Sequence, residues 1–257
     1  MKDLGGGTPP IFKNTERNIM KSKKIIGILG GMGPSASGYL YNLMNSLAVK
    51  EYGVKKNDEF PETILYSVPV PDFISSTRNK SKALAMLKRR VKSLDTLPIG
   101  VFGIACNTAH ILLPELQKQS KTRFISMIDA VVGEVSKKGF KTVGILATSS
   151  TMQANLYQKS LKIKGVDVIV PTKRDQESLD EIIKSTVGER AGRKDEKKLF
   201  SIAGTLKAKG ADVIILGCTE LPLLFPRDYS LPIFNSVEIL SRALLKECTR
   251  VHPARKI

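Results

Sequence analysis

Two short apolar runs, residues 99–105 and 213–217, each stop at a cysteine followed by polar residues: Cys106-Asn107-Thr108-Ala109-His110 in one case, Cys218-Thr219-Glu220 in the other. Runs of this length, bounded by breakers, read as parallel strands buried on both faces. Open α/β sheets gather their ligands at the carboxyl ends of the strands, so both thiols fall where chemistry is done. An upstream pair of strands repeats the pattern. Gly27-Ile28-Leu29 precedes Cys106, and Gly144-Ile145-Leu146 precedes Cys218 by a similar stretch of chain. The first runs into Gly30-Gly31-Met32-Gly33 and the second into Ala147-Thr148-Ser149-Ser150-Thr151. The chain therefore reads as two weakly similar copies of one α/β unit in tandem. The expected fold is α/β, with two parallel-sheet domains related by a pseudo-two-fold axis and an active site in the cleft between them.

In chain order, residues 1–24 have no sustained periodicity and are expected to form a disordered tail, with Met20 as an alternative start. Residues 25–122 make the first domain, completed by 232–257, and residues 123–231 the second. Strands are expected at 25–29, 63–68, 99–105, 124–128, 142–146, 166–170, 213–216 and 233–234. Helices are expected near 35–50, 80–94, through Leu112 and Leu116, then 152–164, 176–187, 195–209 and 237–246. Asp129 is placed to cap the helix after residue 128, and Gly165 and Gly210, each just before a strand, to close helices. Pro69-Val70-Pro71-Asp72 forces an extended loop. The charged stretch 189–198 reads as a surface connection, and Pro222, Pro226 and Pro232 make the segment after Cys218 a loop. Strands alternating with helices imply right-handed parallel crossovers.

Composition narrows the function classes. Of 257 residues, 41 are Lys or Arg against 24 Asp or Glu, a formal net charge of +17 that is spread along the chain. No nucleic-acid module accompanies that charge, so it reads as a solvated surface that attracts small anions, with no nucleic-acid partner. Three cysteines, an odd number, argue against a disulfide framework. With no secretory pattern, a reducing cytoplasm is the expected location. No apolar run approaches a membrane span.

The chemistry points to proton transfer. A strand-end thiol beside backbone N–H groups and a helix start is expected to have its pKa lowered from about 8.5 towards neutrality, while a second thiol opposite it stays protonated. Cys106 and Cys218 together supply the ordered base and acid that moving a proton across a carbon centre requires. Asn107, Thr108 and Thr219 are suited to hold a substrate carboxylate and the charge that builds on it; Thr148, Ser149 and Thr151 contribute from the second unit. The glycine turn at 30–33 reads equally as a tight connection or as a backbone cradle for a carboxylate. It lacks the spacing of a dinucleotide site or a phosphate loop. Zinc is disfavoured because neither cysteine has clustered ligands. His110 reads as a supporting group rather than a base, and Cys248 as packing.

Gly30-Gly31-Met32-Gly33-Pro34, Pro69-Val70-Pro71-Asp72, Ala105-Cys106-Asn107-Thr108-Ala109-His110, Leu146-Ala147-Thr148 and Gly217-Cys218-Thr219-Glu220 together resemble the aspartate/glutamate racemase family, more closely its aspartate racemase branch. The resemblance spans residues 25–246. It implies a pyridoxal-phosphate-independent amino-acid racemase with no cofactor, commonly a homodimer, in which Cys106 and Cys218 exchange the α-proton on opposite faces. Asn107, Thr108 and Ala109 match the family's substrate-holding segment. One position departs: where aspartate racemases carry an arginine after Pro-Asp, this chain has Phe73, and the nearest arginine is Arg78. A second basic contact would fall near Lys184 to Arg190. The expected substrate is aspartate or a broader amino-acid range. The rivals are a racemase or isomerase of another small acid, such as a hydantoin, and a non-catalytic binding protein on the same scaffold.

Overall fold

In a computed structural model, residues 24–72, 77–226 and 228–249 are described. The elements run β1 (Ile25–Gly30), α1 (Pro34–Tyr52), β2 (Thr63–Ser67), α2 (Lys80–Leu94), β3 (Ile99–Ile104), a 3₁₀ turn (Thr108–Leu112), α3 (Leu113–Gln119), α4 (Met127–Lys138), β4 (Thr142–Leu146), α5 (Ser149–Gln153), α6 (Gln158–Ile163), β5 (Asp167–Ile169), α7 (Lys173–Val187), α8 (Arg193–Ala208), β6 (Val213–Leu216), α9 (Leu221–Leu224), β7 (Ile233–Asn235) and α10 (Ser236–Cys248). They build two parallel sheets, ordered β2-β1-β3 and β5-β4-β6-β7. The expected residues 1–23 of the tail and Phe73 lie outside the described residues.

The repeated Gly-Ile-Leu has a packing cause. Gly27 is paired with Phe102 across β1 and β3, and a Cβ on Gly27 would sit 2.5 Å from the Phe102 ring. Gly144 is paired with Ile214 across β4 and β6, and its Cβ would sit 2.7 Å from the Ile214 side chain. Each central strand thus carries a glycine so that the large side chain of its neighbour can lie across it. Both sheets are covered on both faces. Leu40, Met44, Leu240 and Leu244 pack on one side of the first and Leu87, Val91, Leu112 and Leu116 on the other. The second is lined by Leu179, Ile183, Leu199 and Leu206 on one side and Val131, Val135, Tyr157 and Leu161 on the other. This two-sided burial is why the strands read as unbroken apolar runs.

Several boundaries differ from expectation. Residues 124–128 form no strand: Phe124 makes a single parallel bridge to Phe102, and α4 begins at Met127. Its cap is Ser126, whose hydroxyl accepts from the Asp129 N–H; Asp129 is inside the first turn. Residues 152–164 split into α5 and α6 because Asn155 turns left-handed, at φ 53°. The charged stretch is half helix, since α8 starts at Arg193 on Gly192. The proline-rich segment holds one helical turn, α9. Ile233–Asn235 does not return to the first sheet. It pairs with β6, and only α10 goes back, to pack on α1, α4 and β3. Gly165 and Gly210 do follow helix ends in the left-handed region, at φ 69° and 96°. Among the described residues no helix is long and apolar enough to cross a membrane.

Phe102 is fully buried and stacks on Phe124 with centroids 4.8 Å apart. Truncation to alanine also leaves the space over Gly27 empty. Phe102→Ala is expected to cost about 3–5 kcal/mol of unfolding free energy, read as a lowered denaturant midpoint at unchanged slope.

Candidate active site

The two cysteines occupy matching places. The Ala105 N–H donates to the Leu29 carbonyl (2.9 Å), and the Gly217 N–H donates to the Leu146 carbonyl (2.7 Å). Each bond extends a ladder by one step, and in each unit the next residue is the cysteine. Both thiols are buried. Backbone N–H groups of Thr108 and Ala109 point at the Cys106 sulfur, and that of Glu220 at the Cys218 sulfur.

Those N–H groups do not lower the thiols as expected. Burial, then the Glu220 carboxylate, push Cys106 up to about 12. Burial and Glu220 likewise hold Cys218 well above the thiol range, and Cys106 adds to the effect, so the sulfurs are close enough to sense each other. Removing a thiolate from water outweighs a few dipoles, and a carboxylate beside it compounds the cost. Cys218 Sγ and Thr219 Oγ1 both donate to Glu220 Oε2 at 3.0 Å, while Glu220 Oε1 is buried with no hydrogen-bond partner. Burial raises the Glu220 carboxyl in turn.

Hydroxyls join the two units. Thr148 Oγ1 donates to Thr151 Oγ1 (2.9 Å), and Thr108 Oγ1 is bonded to both, at 2.9 and 3.1 Å. With the Thr148 proton committed to Thr151, the Thr151 proton goes to Thr108 and that of Thr108 to Thr148, closing a ring. Asn107 is engaged at both ends, its amide N–H donating to Ser236 Oγ (3.0 Å) and its carbonyl oxygen accepting from the Tyr157 hydroxyl. Ala109 is buried behind Cys106. Ser149 stands apart from this cluster; its N–H donates to Asp180 Oδ1 (2.9 Å). Sequence reasoning did not assign roles to Glu220, Tyr157 or Ser236. Glu220 was visible beside Cys218, but Tyr157 and Ser236 reach Asn107 from distant helices and carry no local signal.

His110 is a strut. The Met127 N–H donates to Nε2 (3.0 Å), which makes Nε2 an acceptor and leaves Nδ1–H to donate to the Cys106 carbonyl (2.8 Å). That is the neutral tautomer, and burial depresses the ring's pKa to about 4.

A cavity of about 110 Å³ opens against Cys106, lined by Gly31, Gly33, Pro34, Asp72, Thr108 and Val187 among others. The amino end of α1 meets it at Gly33 and Pro34. No side chain caps that end and its first turn holds no acidic residue, so the positive pole of a 19-residue helix faces the cavity; the carboxylates that approach it are Glu189, which accepts from Ser35 Oγ (2.7 Å), and Glu220, whose Oε1 lies against Gly33. The Gly31 N–H is already taken by Ser37 Oγ. Lys184, Arg190 and Arg78 are exposed, and Val187 is the member of its segment that lines the cavity. Among the described residues no cluster of three His, Cys, Asp or Glu is arranged to hold a metal ion.

A family model described as Asp/Glu/hydantoin racemase matches residues 29–244. The chain belongs to that family. It is 25% identical over 222 residues to the broad specificity amino-acid racemase RacX of Bacillus subtilis, covering 85% of this chain and 96% of that one. The aspartate racemase of Picrophilus torridus superposes with a TM-score of 0.77 at 27% identity, over 89% of this chain and 96% of that one. An aspartate racemase homologue from Pyrococcus horikoshii gives 0.73 at 30% identity, over 89% and 100%. Membership of the Asp/Glu/hydantoin racemase family makes the chain's reaction class racemisation, an isomerisation.

The depressed His110 sets a pH dependence. Its folded pKa of about 4 lies below the ordinary 6.5, so between those values the unfolded chain binds more protons and stability falls as pH falls. Acidification from 6.5 to 4 is expected to remove about 3 kcal/mol through this group, and His110→Gln is expected to flatten that part of the stability–pH curve in denaturant titrations.

Proposed function

We propose that the protein is a cofactor-independent amino-acid racemase in which Cys106 and Cys218 act as opposed acid and base. The observation that carries the reading is the matched placement of the thiols. Each stands one residue beyond the last ladder bond of its own sheet, and each responds to the same carboxylate. Two-base racemisation needs an acid and a base on opposite faces of one carbon, and a duplicated strand end bearing a thiol is suited to supply that pair. No pyridoxal phosphate is needed, because the carbanion is stabilised by the environment of the substrate carboxylate. The uncapped start of α1 is suited to that carboxylate, with Thr108 beside it once the hydroxyl ring opens. The domains proposed with this reading are residues 25–122 with α10, and 123–231 with β7. Assembly as a homodimer in the cytoplasm belongs to the same reading, and sedimentation of the purified protein tests the dimer.

The cavity favours the broad arm of the expected range over aspartate. Besides Gly31, Gly33, Cys106 and Thr108, its walls are Met32, Pro34, Val70, Pro71 and Val187, with Asp72 at the exposed edge. A side-chain carboxylate has no basic partner in that set, and the adjoining Phe73-Ile74-Ser75-Ser76 contains no base. Burying an unpaired carboxylate is costly. Amino acids with uncharged side chains are therefore the proposed substrates.

Cys106→Ser and Cys218→Ser are each expected to lower L-to-D interconversion by about 10²–10⁴-fold, followed by chiral chromatography. Wild-type rates in both would end the assignment. In deuterated water, L-alanine and L-methionine are expected to take up α-deuterium with kcat/KM about tenfold or more above L-aspartate, the scale of one unpaired buried charge. A hydantoin included in the same panel separates the rival isomerase.

A further inference from the structure

The acceptors around the cavity are nearly all committed. The Asn107 carbonyl oxygen takes the Tyr157 hydroxyl. Thr108, Thr148 and Thr151 satisfy one another. Asp72 lies at the exposed mouth. Among the described residues the buried side-chain oxygens without a partner are Ser150 Oγ, Gln158 Oε1, the Tyr229 hydroxyl and Glu220 Oε1, and of these only the last belongs to a carboxylate. Glu220 is 3% exposed, and its Oε2 already receives the Cys218 thiol and the Thr219 hydroxyl. Its Oε1 is set against the cavity wall. A Cβ built on Gly33 would lie 2.1 Å from Oε1, and Gly33 lines the cavity together with Cys106. A side chain at residue 33 would push the carboxylate aside, so the glycine keeps this oxygen beside the ligand space.

A buried carboxylate oxygen without a donor is costly, and a donor that arrives with the ligand relieves that cost. The racemase reading, on which this inference rests, supplies one, because an α-amino acid carries three ammonium N–H donors next to the carbon that reacts. We propose that Glu220 Oε1 receives the substrate's α-ammonium group, making Glu220 a substrate-binding residue that selects amino acids over their des-amino counterparts. The pairing has a consequence for the thiols. After burial, the Glu220 charge is the leading influence that holds both sulfurs protonated. An ammonium on Oε1 neutralises that charge, so amino-acid entry itself lowers the cost of forming the thiolate. It also keeps the α-nitrogen protonated, which makes the adjacent C–H more acidic.

The experiment compares binding of L-alanine with that of propionate, the same skeleton without the ammonium, by calorimetry on the full chain. Wild type is expected to prefer L-alanine by about tenfold or more, the scale of one charged hydrogen bond. Glu220→Gln, which keeps the shape and loses the charge, is expected to bring the ratio below about threefold, with a raised KM for L-alanine. Glu220→Asp, which keeps the charge, and Asp72→Asn are each expected to retain a preference. Equal binding of the two ligands by wild type overturns the proposal without any variant, as does an undiminished ratio in folded Glu220→Gln or a ratio lost in Asp72→Asn. Should the charge-dependent preference appear in a protein that exchanges no α-proton, the ammonium site stands and the racemase reading falls.

Discussion

A ring of three hydroxyls, Thr108 from the first unit and Thr148 and Thr151 from the second, joins the carboxyl ends of the two sheets. All three residues are buried. In such surroundings a polar group is worth having only when fully paired, and a network that is fully paired admits one arrangement. A second cross-connection, Tyr157 to Asn107 to Ser236, ties α6, the loop after β3 and the start of α10 together beneath the first. Apolar contact alone would let the two units slide. These bonds set their separation, and hence the distance between the thiols.

The electrostatics follow from the same burial. Backbone N–H groups do point at both sulfurs, as a strand end before a helix start should provide, and each contributes in the lowering direction. Desolvation and the Glu220 carboxylate act the other way and win. Both thiols are therefore held neutral by their surroundings. Glu220 Oε1, a buried carboxylate oxygen without a hydrogen-bond partner, and the positive start of α1 both lie at Gly33. A zwitterion presents the complementary pair of charges on adjacent atoms, which a hydroxy acid or a simple carboxylate does not.

The sheet architecture was legible because both sheets are buried on both faces, so strand and helix periods stood out in the sequence. Both cysteines were legible because a strand end is a local pattern. What was not legible depends on contacts between distant elements. Nothing near Ile233 says that it will pair with β6 rather than return to the first sheet; that follows from the partner strand having a free edge. The direction of the thiol shift could not be read either, because it depends on how completely the sulfurs leave water and on Glu220 folding back over Gly33. Likewise Thr148 and Thr151 are polar residues at a strand end, as the local pattern implies, but their hydroxyls are turned toward Thr108 and one another.

The duplication also explains where the two units must differ. Inverting a carbon needs a proton acceptor on one face and a proton donor on the other, and on the proposed reading the repeated strand ends provide both from one sequence pattern. The same carbon bears a carboxylate, an ammonium and a side chain, which no two-fold symmetric site can distinguish. On the proposed reading, the asymmetry is confined to the loops after the repeated strands. The first unit ends β1 in Gly30-Gly31-Met32-Gly33, where small residues let a helix start and a carboxylate oxygen come close. The second ends β4 in Ala147-Thr148-Ser149-Ser150-Thr151, whose Thr148 and Thr151 hydroxyls close the ring with Thr108. Symmetric where the proton moves and asymmetric where the ligand is gripped, the fold separates the two tasks onto different residues of one repeated unit.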